Sequence, residues 1–139
     1  MYKLTATLLL SLFSTGFCLA DITMPIRGVV DGDTIKTSVN LPCPLCNVSI
    51  RLLGVDTPES TYLAKCPAEK EKALAAKNFV KTLIGTNTTM VIRNFKWDKY
   101  GGRIDAYVSI NGVDISQSLI DNGLARPYTG QGPKSDWCN

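Results

Sequence analysis

Histidine is absent from all 139 residues of the chain. This absence excludes acid–base catalysis by an imidazole and zinc sites built on histidine ligands. Long apolar runs are also missing after the first 20 residues, so no later segment is predicted to cross a membrane. Strong charge is lacking too, because the formal net charge is only +3. Any surface of one sign must therefore come from local clustering of side chains.

The first 20 residues are predicted to be a secretory signal peptide, which places the mature protein outside the cell or in the periplasm. Lys3 gives the segment a positive start, and residues 8–17 form an apolar core too short to span a bilayer comfortably. Small residues at the cleavage positions favour cleavage before Asp21. A lipid anchor on Cys18 is the alternative, disfavoured because the preceding residue is large. Residues 21–139 suffice for one small domain and not two.

Four cysteines remain in that domain, and an even number in an exported small protein predicts two disulfides with three possible pairings. We favour Cys66–Cys138, which would constrain a long unfolded loop, together with a local Cys43–Cys46 bridge. Zinc held by four thiolates and a redox-active Cys43–Cys46 pair are the alternatives. The spacing after Cys46 gives no second CxxC motif, and the pair precedes a strand rather than opening a helix.

The predicted elements follow the order β-β-β-α-β-β-α, which by periodicity alone indicates an α+β domain with mostly antiparallel strands. Gly32 is expected to adopt a turn conformation that other residues resist. Pro67 and Gly85 bound a helix with one apolar stripe. A second helix begins after Asp114, with Gln117 as its capping-box partner. The predicted strands cover residues 26–30, 34–39, 48–55, 87–95 and 103–110, and a loop rich in cations and aromatic residues joins the last two.

Residues 31–59 combine acidic and basic groups in one supersecondary unit. Asp33 and Asp56 flank two strand-like runs, Glu59 follows shortly, and Arg51 lies on an otherwise apolar strand. Carboxylate and carbonyl oxygens are the ligands that Ca²⁺ prefers, and a guanidinium suits a bidentate grip on phosphate. The combination indicates phosphodiester chemistry. The plainer alternatives are turn-forming aspartates and solvated charges on the surface.

The two motifs of this unit, Asp31-Gly32-Asp33-Thr34 and the run from Arg51 to Glu59, resemble the staphylococcal (micrococcal) nuclease or thermonuclease family. The similarity continues through residues 98–103 and 122–125, and it covers roughly residues 26–128. It implies a five-stranded β-barrel of the OB type with two helices. The third helix that many members carry is not expected, because few residues follow position 130.

The resemblance implies an exported, monomeric, Ca²⁺-dependent endonuclease that hydrolyses DNA and RNA with little sequence preference and leaves 3′-phosphate ends. Asp33, Asp56 and the Thr57 carbonyl resemble the family's Ca²⁺ ligands. Glu59 resembles the glutamate that accepts a proton from the attacking water or orients it. Arg51 and Arg103 would clamp the phosphate and stabilise charge in the transition state.

Two questions stay open at this stage. The family has one glycine before its second arginine, whereas this chain has Gly101-Gly102, so Arg103 is either displaced by one residue or kept in register by the loop. Lys99, Tyr100 and Tyr128 are expected to contact the nucleic acid, or else they are solvated loop residues. A catalytically inactive OB-type binding module and a small disulfide-stabilised secreted protein are the competing interpretations of the whole chain.

Overall fold

The computed structural model describes residues 21–139, so the predicted signal peptide lies outside the described residues. The domain is α+β and has two helices, α1 (Pro67–Ile84) and α2 (Ile115–Asp121). Its strands are β1 (Ile22–Pro25), β2 (Gly28–Asp31), β3 (Thr34–Ser38), β4 (Asn47–Leu52), β5 (Val55–Asp56), β6 (Thr89–Trp97), β7 (Arg103–Ile110), β8 (Val113–Asp114) and β9 (Arg126–Pro127). Neither helix of this part of the chain is long and apolar enough to cross a membrane.

One sheet runs in the order β1-β6-β7-β4-β3-β2, with β8 paired to β7, and a second small sheet pairs β5 with β9. All neighbours are antiparallel except β4 and β7, which run parallel. The path is open, with β1 and β2 at its ends, so the five-stranded barrel is not confirmed. The α+β class and the two helices agree with the prediction.

The observed strands differ from the predicted ones in several places. Strand β1 was not predicted as a strand, and it extends the sheet by pairing with β6. The predicted strand over residues 48–55 ends at Leu52, because a turn with Gly54 at φ 84° separates it from β5. Strand β6 continues to Trp97 through a bulge that has Asn94 at φ 49°. A bulge breaks the period-2 alternation on which strand prediction rests.

Helix α1 covers one side of the sheet with the predicted stripe, of which Ala73, Ala76, Val80 and Ile84 are buried. Cys66 is its N-cap residue, and Pro67 begins the helix at a position where a missing N–H costs nothing. Only one of the two hydrogen bonds of the capping box predicted for α2 is present. Asp114 accepts the Gln117 N–H at 2.8 Å, but the Gln117 side chain donates to Asp121 instead of returning to the cap.

Gly32 is needed for space and not for an unusual backbone angle, which corrects the sequence-based expectation. Its φ lies outside the left-handed region. A Cβ added at this position would lie 2.7 Å from the Cβ of Ala76 and 3.2 Å from Cγ2 of Thr57. Glycine therefore lets α1 pack directly against the turn between β2 and β3.

The structure pairs the cysteines as favoured above. The short disulfide joins Cys43 to Cys46, with 4.7 Å between their Cα atoms. The long disulfide joins Cys66 to Cys138, with 6.0 Å between their Cα atoms and a sequence separation of 72. The long disulfide thereby attaches the segment around residue 138 to the start of α1.

Candidate active site

Asp33 lies in the turn between β2 and β3 and is 6% exposed. Its carboxylate accepts hydrogen bonds from the hydroxyls of Thr34 at 3.0 Å and Thr57 at 2.8 Å, and it forms an ion pair with Arg51. Its main-chain carbonyl accepts the Leu52 N–H at 2.9 Å, which ties the turn to the end of β4. The side chain is therefore held in one place by three partners.

Arg51 projects from β4 toward this turn. One terminal nitrogen pairs with Asp33, and the other donates to the Val55 carbonyl at 3.4 Å. Burial of the guanidinium lowers the pKa of Arg51, while the nearby Asp56 opposes that shift and Arg103 adds to it. The guanidinium remains charged, because arginine keeps its proton in proteins. It is thus a fixed, partly desolvated cation.

Asp56 is the most buried carboxylate of the site, at 1% exposure. Its Oδ2 atom accepts the Ser135 N–H at 3.1 Å and lies 3.5 Å from the indole nitrogen of Trp137. Its Oδ1 atom is buried and has no hydrogen-bond partner. A buried carboxylate oxygen without a partner is unfavourable unless a ligand satisfies it.

Glu59 lies in the loop between β5 and α1, with its side chain 26% exposed. Its Oε1 atom is 2.5 Å from the ammonium nitrogen of Lys134. The main chain of this loop is held by Glu69, which is only 3% exposed. Glu69 accepts the Glu59 N–H at 3.2 Å and the Lys65 N–H at 2.7 Å through its two carboxylate oxygens.

Neither Glu69 nor Lys134 is among the site residues predicted from the sequence. The position of Glu69, three residues after the N-cap Cys66, is where a capping-box glutamate returns to the preceding backbone, so this signal was present in the sequence. Lys134 had no comparable signal, because it is 75 positions away from Glu59.

Arg103 lies on the same face of the sheet as Arg51. In the parallel pairing of β4 with β7, Ser49 is opposite Arg103 and Arg51 is opposite Asp105. Alternate residues of paired strands share a face, so both arginines lie on the same side of the sheet. Gly101 and Gly102, in the loop before β7, have φ angles of 73° and 68°, which favour glycine.

Arg103 is oriented by Asp98. Two guanidinium nitrogens contact the same Asp98 oxygen, with Nε at 3.1 Å. Asp98 also accepts the Tyr100 N–H at 2.7 Å. That backbone hydrogen bond, followed by the contact with Arg103, lowers the pKa of the Asp98 carboxyl.

An open groove of about 780 Å³ brings most of the predicted residues together. A smaller cavity of about 230 Å³ adjoins it and is lined by Asp56 and Thr57. Glu59 and Lys134 line both cavities and therefore mark their junction. The predicted residues that line the groove are Asp33, Arg51, Glu59, Lys99, Tyr100, Arg103 and Tyr128.

Aromatic side chains form the rim of this groove. Tyr100 is 79% exposed, and the Lys99 ammonium lies 4.9 Å from its ring centroid. Tyr128 donates its hydroxyl to the Gly132 carbonyl at 3.0 Å. Trp97 also lines the groove and is 57% exposed, although sequence reasoning named no role for it. Exposed ring faces beside a groove that contains arginines and lysines suit the stacking of nucleic-acid bases.

The predicted cation ligands are oxygen atoms, but Asp33 lines the groove whereas Asp56 and Thr57 line the smaller cavity. Within residues 21–139, no group of three or more acidic, cysteine or histidine side chains is arranged to hold a metal. The candidate set contains two carboxylates: Asp33 already pairs with Arg51, and Oδ1 of Asp56 has no hydrogen-bond partner but lies 3.8 Å from the Lys134 ammonium. Ca²⁺ accepts such oxygens and completes its shell with water.

Comparison with known proteins gives the same family as the motifs. A family model described as "Staphylococcal nuclease homologue" matches residues 49–137. The SPbeta prophage-derived endonuclease YokF of Bacillus subtilis (strain 168) is 33% identical over 111 residues, which cover 78% of this chain and 34% of YokF. Endonuclease YncB of the same organism is 30% identical over 107 residues, covering 76% of this chain and 47% of YncB.

A third relative is an uncharacterized endonuclease of Escherichia coli O157:H7, which is 26% identical over 121 residues covering 87% of this chain and 71% of the relative. The chain spans only about a third to a half of the length of YokF and YncB.

Proposed function

Because this chain belongs to the family of staphylococcal nuclease homologues, we propose that it is an endonuclease that hydrolyses phosphodiester bonds of DNA and RNA. The observation that carries the proposal is the groove in which Arg51, Arg103 and Glu59 lie on one surface. Two fixed cations and one carboxylate along a groove suit the binding and hydrolysis of a phosphodiester. We further propose that cleavage leaves 3′-phosphate ends, as the family resemblance implies.

In this proposal Glu59 accepts a proton from the attacking water or orients it, without a covalent enzyme intermediate. Arg51 and Arg103 hold the scissile phosphate and stabilise the charge that develops on its oxygens. Arg51 is especially suited to this role, because it is partly buried and already oriented by Asp33 and the Val55 carbonyl. Preorganised donors in a water-poor site stabilise such charge more strongly than donors in bulk water.

We propose Ca²⁺ as the cofactor, held by the carboxylates of Asp33 and Asp56 and by the Thr57 carbonyl. The ion would neutralise phosphate charge and polarise a phosphate oxygen. The unsatisfied Oδ1 atom of Asp56 supports this assignment.

Substrate recognition is proposed to rest on phosphate contacts and base stacking. Lys99 would contact the backbone, and Tyr100 and Tyr128 would stack on bases at the rim of the groove. Stacking accepts any base, so little sequence preference is expected. The two disulfides favour an oxidising location, either the periplasm or the medium, and we propose a monomer there.

A catalytically inactive binding module is the second candidate, because the ammonium of Lys134 already engages Glu59. The experiment that separates the two is digestion of single-stranded DNA by the oxidised protein, first with Ca²⁺ and then with excess chelator. End-group analysis of the products identifies the bond that is cleaved. Ca²⁺-dependent cleavage leaving 3′-phosphates supports the full proposal, and chelator-insensitive cleavage removes the metal assignment only. Retained DNA binding without cleavage favours the binding module.

The assignment of Glu59 is tested by Glu59→Gln, which keeps the shape but removes the base. We expect kcat to fall by roughly 10²- to 10⁴-fold, the usual contribution of a general base. Glu71→Gln is the matched control, because Glu71 is an exposed glutamate on α1 that does not line the groove. Normal turnover by the Glu59 variant would remove this residue from the mechanism.

A further inference from the structure

Residues 134–138, which we call the tethered segment, line the smaller cavity through Lys134, Ser135 and Trp137, and Lys134 also lines the groove. The long disulfide fixes the segment at Cys138. Trp137 is 5% exposed, its carbonyl accepts the Lys72 ammonium at 2.8 Å, and the Arg126 guanidinium lies 4.4 Å from its ring centroid. The segment is thus anchored by a covalent bond, a buried ring and a hydrogen bond to α1.

This anchoring delivers two groups to the site. The Ser135 N–H donates to Asp56 at 3.1 Å, and the Lys134 ammonium lies 2.5 Å from Glu59 Oε1 and 3.8 Å from Asp56 Oδ1. The side chain of Lys134 is 49% exposed, and it lines both the groove and the smaller cavity. An ammonium carries three donors, so a contact with Glu59 leaves others free to face the groove.

Resting on the proposed function, we propose that Lys134 is a further substrate-binding residue that holds a phosphate of the bound strand at the junction of the two cavities. The long disulfide positions it there. Lys134 adds a cation to a groove that already presents Arg51, Arg103 and two further lysines, Lys96 and Lys99. Its separation of 75 positions from Glu59 explains why the contact depends on the tether and not on local sequence.

The first test replaces Lys134 by methionine, which keeps the length of the side chain and removes its charge. Binding of a fluorescent single-stranded DNA is measured in excess chelator, where cleavage is not expected to interfere. Loss of one phosphate contact should reduce the slope of log K against log salt by about 0.7. Lys134→Arg should keep the slope, because it keeps the cation. Lys81→Met is the matched control, since Lys81 is an exposed residue of α1 that does not line the groove.

Steady-state cleavage with Ca²⁺ gives the second readout. A charged hydrogen bond to the substrate corresponds to about a tenfold effect, so we expect KM to rise about tenfold for Lys134→Met with kcat nearly unchanged. An increase in kcat would mean that Lys134 only restrains Glu59, which overturns the proposal. An unchanged salt slope in a variant of an active enzyme would also overturn it. If the wild-type protein neither binds nor cleaves DNA, the proposed function itself fails and this inference fails with it.

The role of the tether is tested with Cys66→Ser/Cys138→Ser, after far-UV circular dichroism has shown that the variant is folded. Releasing the segment should raise KM at least as much as Lys134→Met does. Adding Lys134→Met to the released chain should then cost nothing further, because two changes that remove one contact are not additive. Full additivity would show that Lys134 does not act through the tether.

Discussion

Gly32→Ala is the change that most directly tests how the fold brings the acidic residues together. The added Cβ would lie 2.7 Å from the Cβ of Ala76, whereas carbon atoms in contact are about 3.5 to 4.0 Å apart. Helix α1 must therefore move by about 1 Å relative to the turn that carries Asp33. Overpacking of this kind costs about 1 to 3 kcal/mol, and we expect a free energy of unfolding lower by about 2 kcal/mol.

A second substitution decides whether the cause is steric. Ala76→Gly removes the opposing methyl group, and alone it should cost about 2 kcal/mol through lost burial and helix propensity. The double variant Gly32→Ala/Ala76→Gly restores the total volume, so it should be more stable than the sum of the two changes by at least 1 kcal/mol. Ala75→Gly is the control, because Ala75 is exposed on the same helix and should be additive with Gly32→Ala.

The assay is urea unfolding of the oxidised proteins, which yields these differences at constant m-value. The steric explanation is refuted if Gly32→Ala leaves stability within about 0.5 kcal/mol of wild type, or if it couples equally to Ala75→Gly and Ala76→Gly. A displacement of 1 Å near catalytic groups can also lower the rate by up to about 10²-fold. The kcat of Gly32→Ala should therefore fall by more than the loss of folded protein accounts for.

Three further predictions concern the supports of the site. Glu69→Ala should lower kcat and should reduce the free energy of unfolding by about 2 kcal/mol, because it leaves two loop N–H groups without their acceptor. Glu69→Gln should retain part of the activity and part of the stability. Equal losses in the Ala and Gln variants would contradict this explanation. Asp98 has a lowered pKa in the fold, so its contribution to stability is present above about pH 4 and lost as pH falls through that lowered pKa. The stability difference between wild type and Asp98→Asn, measured by urea unfolding from pH 7 to pH 2, should therefore shrink only in acid; a difference independent of pH would contradict the shift. Removal of the long disulfide by Cys66→Ser/Cys138→Ser should lower the free energy of unfolding by about 4 kcal/mol, because the disulfide closes a loop of 72 residues. Removal of the short disulfide should lower it by only about 2 kcal/mol. Equal decreases, measured by calorimetry, would exclude loop length as the cause.

Local signals in the sequence predicted much of the fold. The stripe of α1, its start at Pro67 and its end at Gly85 follow from helix periodicity and capping preferences, and all three agree with the structure. The core strands were found where alternation is regular. Apart from the unpredicted strand β1, errors fall at the Asn94 bulge and at the turn before β5, where the backbone departs from the period that the prediction uses.

The residues of the candidate site also differ in how well they can be predicted from local sequence. Asp33, Arg51, Asp56 and Glu59 belong to one continuous stretch with a specific motif, so their proximity could be predicted from the sequence alone. The position of Lys134 in the site could not be predicted from the sequence, because a disulfide and a buried tryptophan place it beside residues far away in the chain. The sequence also could not place Arg103 on the same face as Arg51, since that depends on the pairing of β7 with β4.

The parallel pairing of β4 with β7 also has a consequence for the order in which the site forms. The three carboxylates, Asp33, Asp56 and Glu59, are synthesised first, whereas Arg103 and Lys134 come much later in the chain. Contacts between residues so distant in sequence form late in folding, because the intervening loop must first be closed. A nascent chain therefore carries the acidic half of the groove without two of its cations. We expect that the growing chain does not cleave nucleic acid near the ribosome. Under the proposed function, cleavage would begin only after β7 has joined the sheet.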